Sequence, residues 1–151
     1  MKEMRTEASK ELVIEFLSNL KTVLEQKRFK FDLKLIRRDS QLYRFYVKNK
    51  IHFLFICASQ GKGFFEIPSP GQEMSHFISS ENIEWAIILL RESEGKNHPS
   101  GFLIRRDDFM KMKVGFTMNR MGLIKIRGKK LSSKYQFNNW DSFFQLLNLQ
   151  L

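Results

Sequence analysis

Hydrophobic positions follow three different rhythms along the chain. The run Ile51-His52-Phe53-Leu54-Phe55-Ile56-Cys57-Ala58 is apolar at seven of eight positions. It has no polar face, which marks an inner strand packed above and below. Earlier, Leu12, Val13, Phe16, Leu17, Leu20, Val23 and Leu24 recur at i, i+3, i+4 spacing and predict a helix over 7–27, with Thr6 or Ser9 as its cap. The period then falls to 2. Phe29, Phe31, Leu33 and Leu35 alternate with Lys30, Asp32 and Lys34, as in a strand with one buried face. Arg37 to Ser40 makes a polar turn, Leu42 to Val47 a second strand, and Lys48-Asn49-Lys50 the turn into the central run. Three strands joined by short turns predict an antiparallel meander, with the first helix over one face.

Beyond the meander, Gln60-Gly61-Lys62-Gly63 breaks the pattern, and Phe64 to Ile67 reads as a short edge strand ended by Pro68 and Pro70. Residues 72–82 are polar and irregular. Trp85 to Leu90 is a second continuous apolar run, read as a strand from its shortness and its isoleucines. Phe102 to Ile104 is another strand, and Asp107 starts a short turn through Met112. Val114 to Met118 and Leu123 to Arg127 flank a hairpin connection, and Lys129 to Phe137 reads as a polar, mobile loop. Asn138 or Asn139 caps a last helix carried by Trp140, Phe143, Phe144 and Leu147. The prediction is one α+β domain spanning 1–151: an N-terminal helix, a central, mostly antiparallel sheet and a C-terminal helix.

Composition adds bounds. A chain of 151 residues can bury a full core without staples, and its fifteen Phe point to a core of large flat side chains. The single Cys57 lies in the central strand as a small buried hydrophobe. No run reaches the roughly 18 apolar residues of a membrane helix, and Met1 to Lys10 is polar and mixed in charge, unlike a signal peptide. A cytoplasmic protein without a membrane partner is expected.

Charge changes the picture more. The net charge is +10, and from Arg105 to Lys134 ten basic residues stand against Asp107 and Asp108, a local net of +8. Such concentration favours a polyanion partner, nucleic acid (DNA expected) first and an anionic membrane surface second. Lys125 and Arg127 alternate with Ile124 and Ile126, so both can point to solvent from one strand. Lys129, Lys130 and Lys134 continue into the loop, and Arg105 and Arg106 lie one strand away. A strip of this kind meets successive phosphates and fixes position without reading sequence. Tyr135 and Phe137 beside it either stack on bases or staple the last helix to the core; the staple is the preferred reading.

Site chemistry is sparse. His52, His76 and His98 lack any ligand spacing, so zinc is not expected. Gln60-Gly61-Lys62-Gly63 lacks the Lys-Ser/Thr pair of a P-loop, and Lys62-Gly63-Phe64 lacks the spaced aromatics of an RNA-stacking strand.

The order helix, three-stranded meander, further strands, together with Gly101-Phe102-Leu103-Ile104, Asp107-Asp108-Phe109, Gly122-Leu123-Ile124-Lys125-Ile126 and Trp140-Asp141-Ser142-Phe143, resembles the PD-(D/E)XK restriction-endonuclease-like nucleases. The resemblance implies a divalent metal, Mg²⁺, held by a strand carboxylate and an (E/Q)-x-K element, often with a helix Glu. Glu11 or Glu15 would match the helix acid, Asp39 the turn acid, and Gln60 with Lys62 the remaining element. The central strand itself offers Ile56-Cys57-Ala58-Ser59 where that element belongs, so little or no cleavage and no resident cofactor are expected. The expected function is therefore nucleic-acid binding. A metal-dependent nuclease and a protein-interaction subunit are the alternatives.

Overall fold

The computed structural model describes residues 7–38, 41–58, 64–67, 84–92, 98–112, 117–118 and 123–149. The chain begins with α1 (Glu7–Gln26). Val13, Phe16, Leu20 and Leu24 are buried along one stripe, while Glu11, Glu15, Ser18, Lys21 and Glu25 are exposed on the rest. The helix ends at Arg28, whose φ of 62° lies in the left-handed region. There the Phe29 N–H donates to the Leu24 carbonyl and the Arg28 N–H to the Glu25 carbonyl, both at 3.0 Å. This is a Schellman closure made without glycine.

The strands β1 (Phe31–Arg37), β2 (Leu42–Val47) and β3 (Lys50–Ala58) form the expected antiparallel meander. Lys48 and Asn49, with φ of 51° and 63°, make the two-residue hairpin loop between β2 and β3. Two left-handed residues there match the right-handed twist of the flanking strands. Next, β4 (Phe64–Ile67) belongs to a second sheet. The chain returns as β5 (Glu84–Arg91), parallel to β3 with Phe55 beside Ile87 and Ala58 beside Leu90. A parallel neighbour requires a crossover, and the segment containing β4 supplies it. Then β6 (Ser100–Arg105) runs antiparallel to β5 and leads directly into α2 (Arg106–Met112).

The second sheet is completed by β7 (Thr117–Met118) and β8 (Ile124–Arg127), in the order β4-β8-β7. Finally β9 (Gln136–Phe137) pairs with β6, and α3 (Trp140–Leu146) closes the described chain. The main sheet has the order β1-β2-β3-β5-β6-β9 and is antiparallel except at β3–β5. The fold is α+β, with helices at both ends of the chain, as the hydrophobic pattern predicts.

Two apolar layers cover the main sheet, which explains why β3 and β5 lack a polar face. Leu54, Ile56 and Ala58 of β3 join α1 and α3 in one core. Phe55 and Cys57 turn the other way, into a core roofed by Phe65, Ile67, Ile124 and Ile126 of the second sheet and by Phe109 of α2. The hydrophobic pattern did not predict that second sheet.

Another difference lies at 128–137. The segment read as a mobile loop contains two 3-10 turns, Gly128–Lys130 and Ser133–Tyr135, followed by β9. Leu131 packs on the second core and Phe137 is fully buried against Phe143, their ring centroids 5.2 Å apart. Apolar anchors at 131 and 137 therefore hold a polar stretch in place. The glycine turn at Gln60–Gly63, residues 72–82 and the connection Asn119–Gly122 lie outside the described residues. Among the described residues no helix is long and apolar enough to cross a membrane.

Candidate nucleic-acid interface

Alternation in β8 sorts its side chains. Ile124 and Ile126 are buried, Lys125 is half-buried and Arg127 is exposed. Lys125 stands directly opposite Glu66 across the β4–β8 ladder, where opposite charges interact favourably. Arg127 stands opposite Phe64. The following turn exposes Lys129 and Lys130, and Leu131 tucks back toward the core. In the second turn Ser132 accepts a hydrogen bond from the Lys134 N–H, and the Lys134 ammonium lies 5.1 Å from the Tyr135 ring centroid.

Arg105 and Arg106 occupy different surroundings. Arg105 ends β6 and pairs with Glu84 at 3.1 Å, while the Arg106 Nε donates to Asp107 at 3.1 Å. In the β5–β6 register Arg105 faces Ala86 and Arg91 faces Ser100, at opposite ends of the ladder. That separation is about 17 Å along an extended strand. The seven expected cations thus differ in their surroundings. Arg105 and Arg106 are matched by acids, Lys125 faces one, and Arg127, Lys129 and Lys130 have no ion pair among the described residues.

A cleft of about 450 Å³ opens beside this unmatched group. Arg127 and Lys129 line it together with Arg91, the last residue of β5. Phe102 and Leu131 supply its apolar lining, and Ser133 and Gln136 add polar groups. No Asp or Glu is among its described lining residues. Arg91 holds its guanidinium carbon 5.0 Å from the Phe102 ring centroid, and one Nη donates to the Ser100 hydroxyl at 3.5 Å. Its Nε is shut off from solvent without a partner among the described residues. Arg91 also borders a cavity of about 30 Å³ toward α1, with Glu15, Asn19 and His98. Sequence reasoning missed Arg91 because it lies outside the basic segment. The available signal was a cation directly ending an apolar strand.

The alternative catalytic residues are only partly placed. Glu11 and Glu15 are exposed on α1, and Glu15 reaches the small cavity beside Arg91. Asp39, Gln60 and Lys62 lie outside the described residues. Among the described residues no three His, Cys, Asp or Glu side chains are grouped to hold a metal ion.

His52 is buried at 6% exposure, beside Phe45 with ring centroids 6.2 Å apart. Its Nε2 has no hydrogen-bond partner among the described residues. Burial holds its pKa below the ordinary 6.5, Lys50 and Arg105 push in the same direction, and Glu84 opposes them. Of the two aromatic residues considered for base stacking, Phe137 is the staple of the last helix, buried in the core with α1 and α3, and Tyr135 is half-buried on the second core. Comparison of the chain with protein-family models, with curated proteins and with solved structures finds no match.

Proposed function

We propose that this protein binds nucleic acid through the face formed by Arg91, Arg127, Lys129 and Lys130. The observation that carries the proposal is the convergence of three cations, with no carboxylate among the described lining residues, on one cleft of about 450 Å³. Cations matched by acids contribute little to a distant field, whereas unmatched ones attract phosphate and release its counterions. The order of α1 followed by the β1–β3 meander is the order on which the likeness to PD-(D/E)XK nucleases rests. It supports a nuclease-like scaffold and says nothing about cleavage.

Binding of a labelled strand and of its duplex, titrated at several salt concentrations, tests the reading. Combined Arg127→Ala, Lys129→Ala and Lys130→Ala should weaken binding across unrelated sequences and lower the salt slope by about one per lost phosphate contact. Combined Arg105→Ala and Arg106→Ala should bind close to the parent protein, because acids already neutralise those side chains. The nucleic acid should stay intact when Mg²⁺ is added. Failure of the parent protein to bind either ligand at low salt overturns the proposal and favours an acidic protein partner.

A further inference from the structure

We infer that the cleft seats one unpaired nucleotide of a single strand, with the Arg91 guanidinium as its stacking platform. This rests on the nucleic-acid reading above and narrows its ligand. A volume of about 450 Å³ falls in the range of roughly 300–1,000 Å³ found for small-ligand sites. It suits a single nucleotide and is too small for a duplex. The lining is divided as a nucleotide is divided. Arg127 and Lys129, separated by Gly128, supply charge for a phosphate. Phe102 and Leu131 supply apolar surface, and Ser133 and Gln136 supply hydrogen-bonding groups suited to a base edge.

Stacking needs a flat group, and the aromatic residues considered from the sequence are otherwise engaged. Phe137 is fully buried and Tyr135 carries the Lys134 ammonium over its ring. Arg91 takes that role. Its guanidinium carbon lies 5.0 Å over the Phe102 ring centroid at the cleft, and a planar guanidinium is a group on which a base stacks. Lys130 and Lys134, exposed on the same two turns, extend the charge beyond the cleft. That extension favours a nucleotide within a strand over a free one.

The test compares oligothymidylate with an abasic oligomer of equal length and charge, both followed by fluorescence anisotropy. Stacking of one base should make the parent protein bind oligothymidylate about tenfold more tightly than the abasic strand. Arg91→Lys keeps the charge and removes the plane, so it should erase that difference between the two oligomers. Arg127→Ala should weaken both ligands by the same factor. If the parent protein binds both oligomers equally, or Arg91→Lys still discriminates, the nucleotide site is wrong while nucleic-acid binding stands. If neither oligomer nor duplex binds at low salt, both readings fall. The parent comparison needs no variant to fold.

Discussion

His52 is the one charged or polar side chain buried in the core among the described residues. Its neighbours come from three strands. Phe45 lies opposite on β2, Glu84 lies beside it on β5, and Arg105 reaches over from β6. The location of His52 in an apolar strand is legible in the sequence, but its unpaired Nε2 is not, because that depends on what β2 and β5 bring alongside. The consequence is a pH dependence of stability. Burial lowers the folded-state pKa below 6.5, so as pH falls the unfolded chain takes up its proton first. Stability from this group is complete above about pH 6.5 and declines below it, by at most about 1.4 kcal/mol per pH unit. Denaturant midpoints measured from about pH 7.5 down to pH 5.5 should fall in the parent protein. The fall should be shallower in His52→Phe. Equal slopes in the two proteins would show that His52 does not carry the effect. Arg91 repeats the lesson at the site. Its charge is plain in the sequence, but its place beside Arg127 follows from the β5–β6–β9 register and the return of the chain through the second sheet.

Helix ends show what an element's own sequence can announce. The start of α3 is legible: Asn139 accepts from the Ser142 N–H at 2.7 Å, and the Ser142 hydroxyl accepts from the Asn139 N–H at 3.3 Å. Its end uses Asn148 at a φ of 62°, with the Leu149 N–H donating to Phe144. Asn tolerates that conformation. The end of α1 adopts the same closure with Arg28, a residue that pays a steric penalty at positive φ and gives no stop signal. Arg28→Gly should therefore stabilise the protein, by about 0.5–1 kcal/mol after the extra entropy of glycine in the unfolded chain. Chemical denaturation reads this directly, and a loss of stability would mean that the Arg28 side chain contributes more than its backbone costs. Long periodic elements such as α1 and β3 were readable from spacing. The strands β4, β7 and β8 are legible as well, but their joining into a second sheet is not, because β4 pairs with β8 across about sixty intervening residues, a contact that local spacing does not encode.

At the scale of the molecule, the main sheet is shared by two cores. Alternate residues of β3 feed opposite layers, Leu54 and Ile56 toward the helices and Phe55 and Cys57 toward the second sheet. Neither layer can lose its cover without exposing one face of the same strands, so the two should unfold together. The two tryptophans of the chain report on opposite layers. Trp85 is buried in the second core, with its ring 5.9 Å from Phe55 and 6.0 Å from Phe109. Trp140 lies against α1, 5.4 Å from Phe16. Trp85→Phe leaves Trp140 as the fluorescent probe, and Trp140→Phe leaves Trp85. In each variant the fluorescence transition should superimpose on the loss of far-ultraviolet circular dichroism, as two-state unfolding requires. Each comparison is made within one variant, so any destabilisation by the substitution itself cancels. A Trp85 transition that precedes the loss of secondary structure would mean that the second sheet detaches on its own. Because Arg127 and Lys129 are carried by that sheet and the turn that follows it, while Arg91 and Phe102 belong to the main sheet, such detachment would also separate the two sides of the cleft.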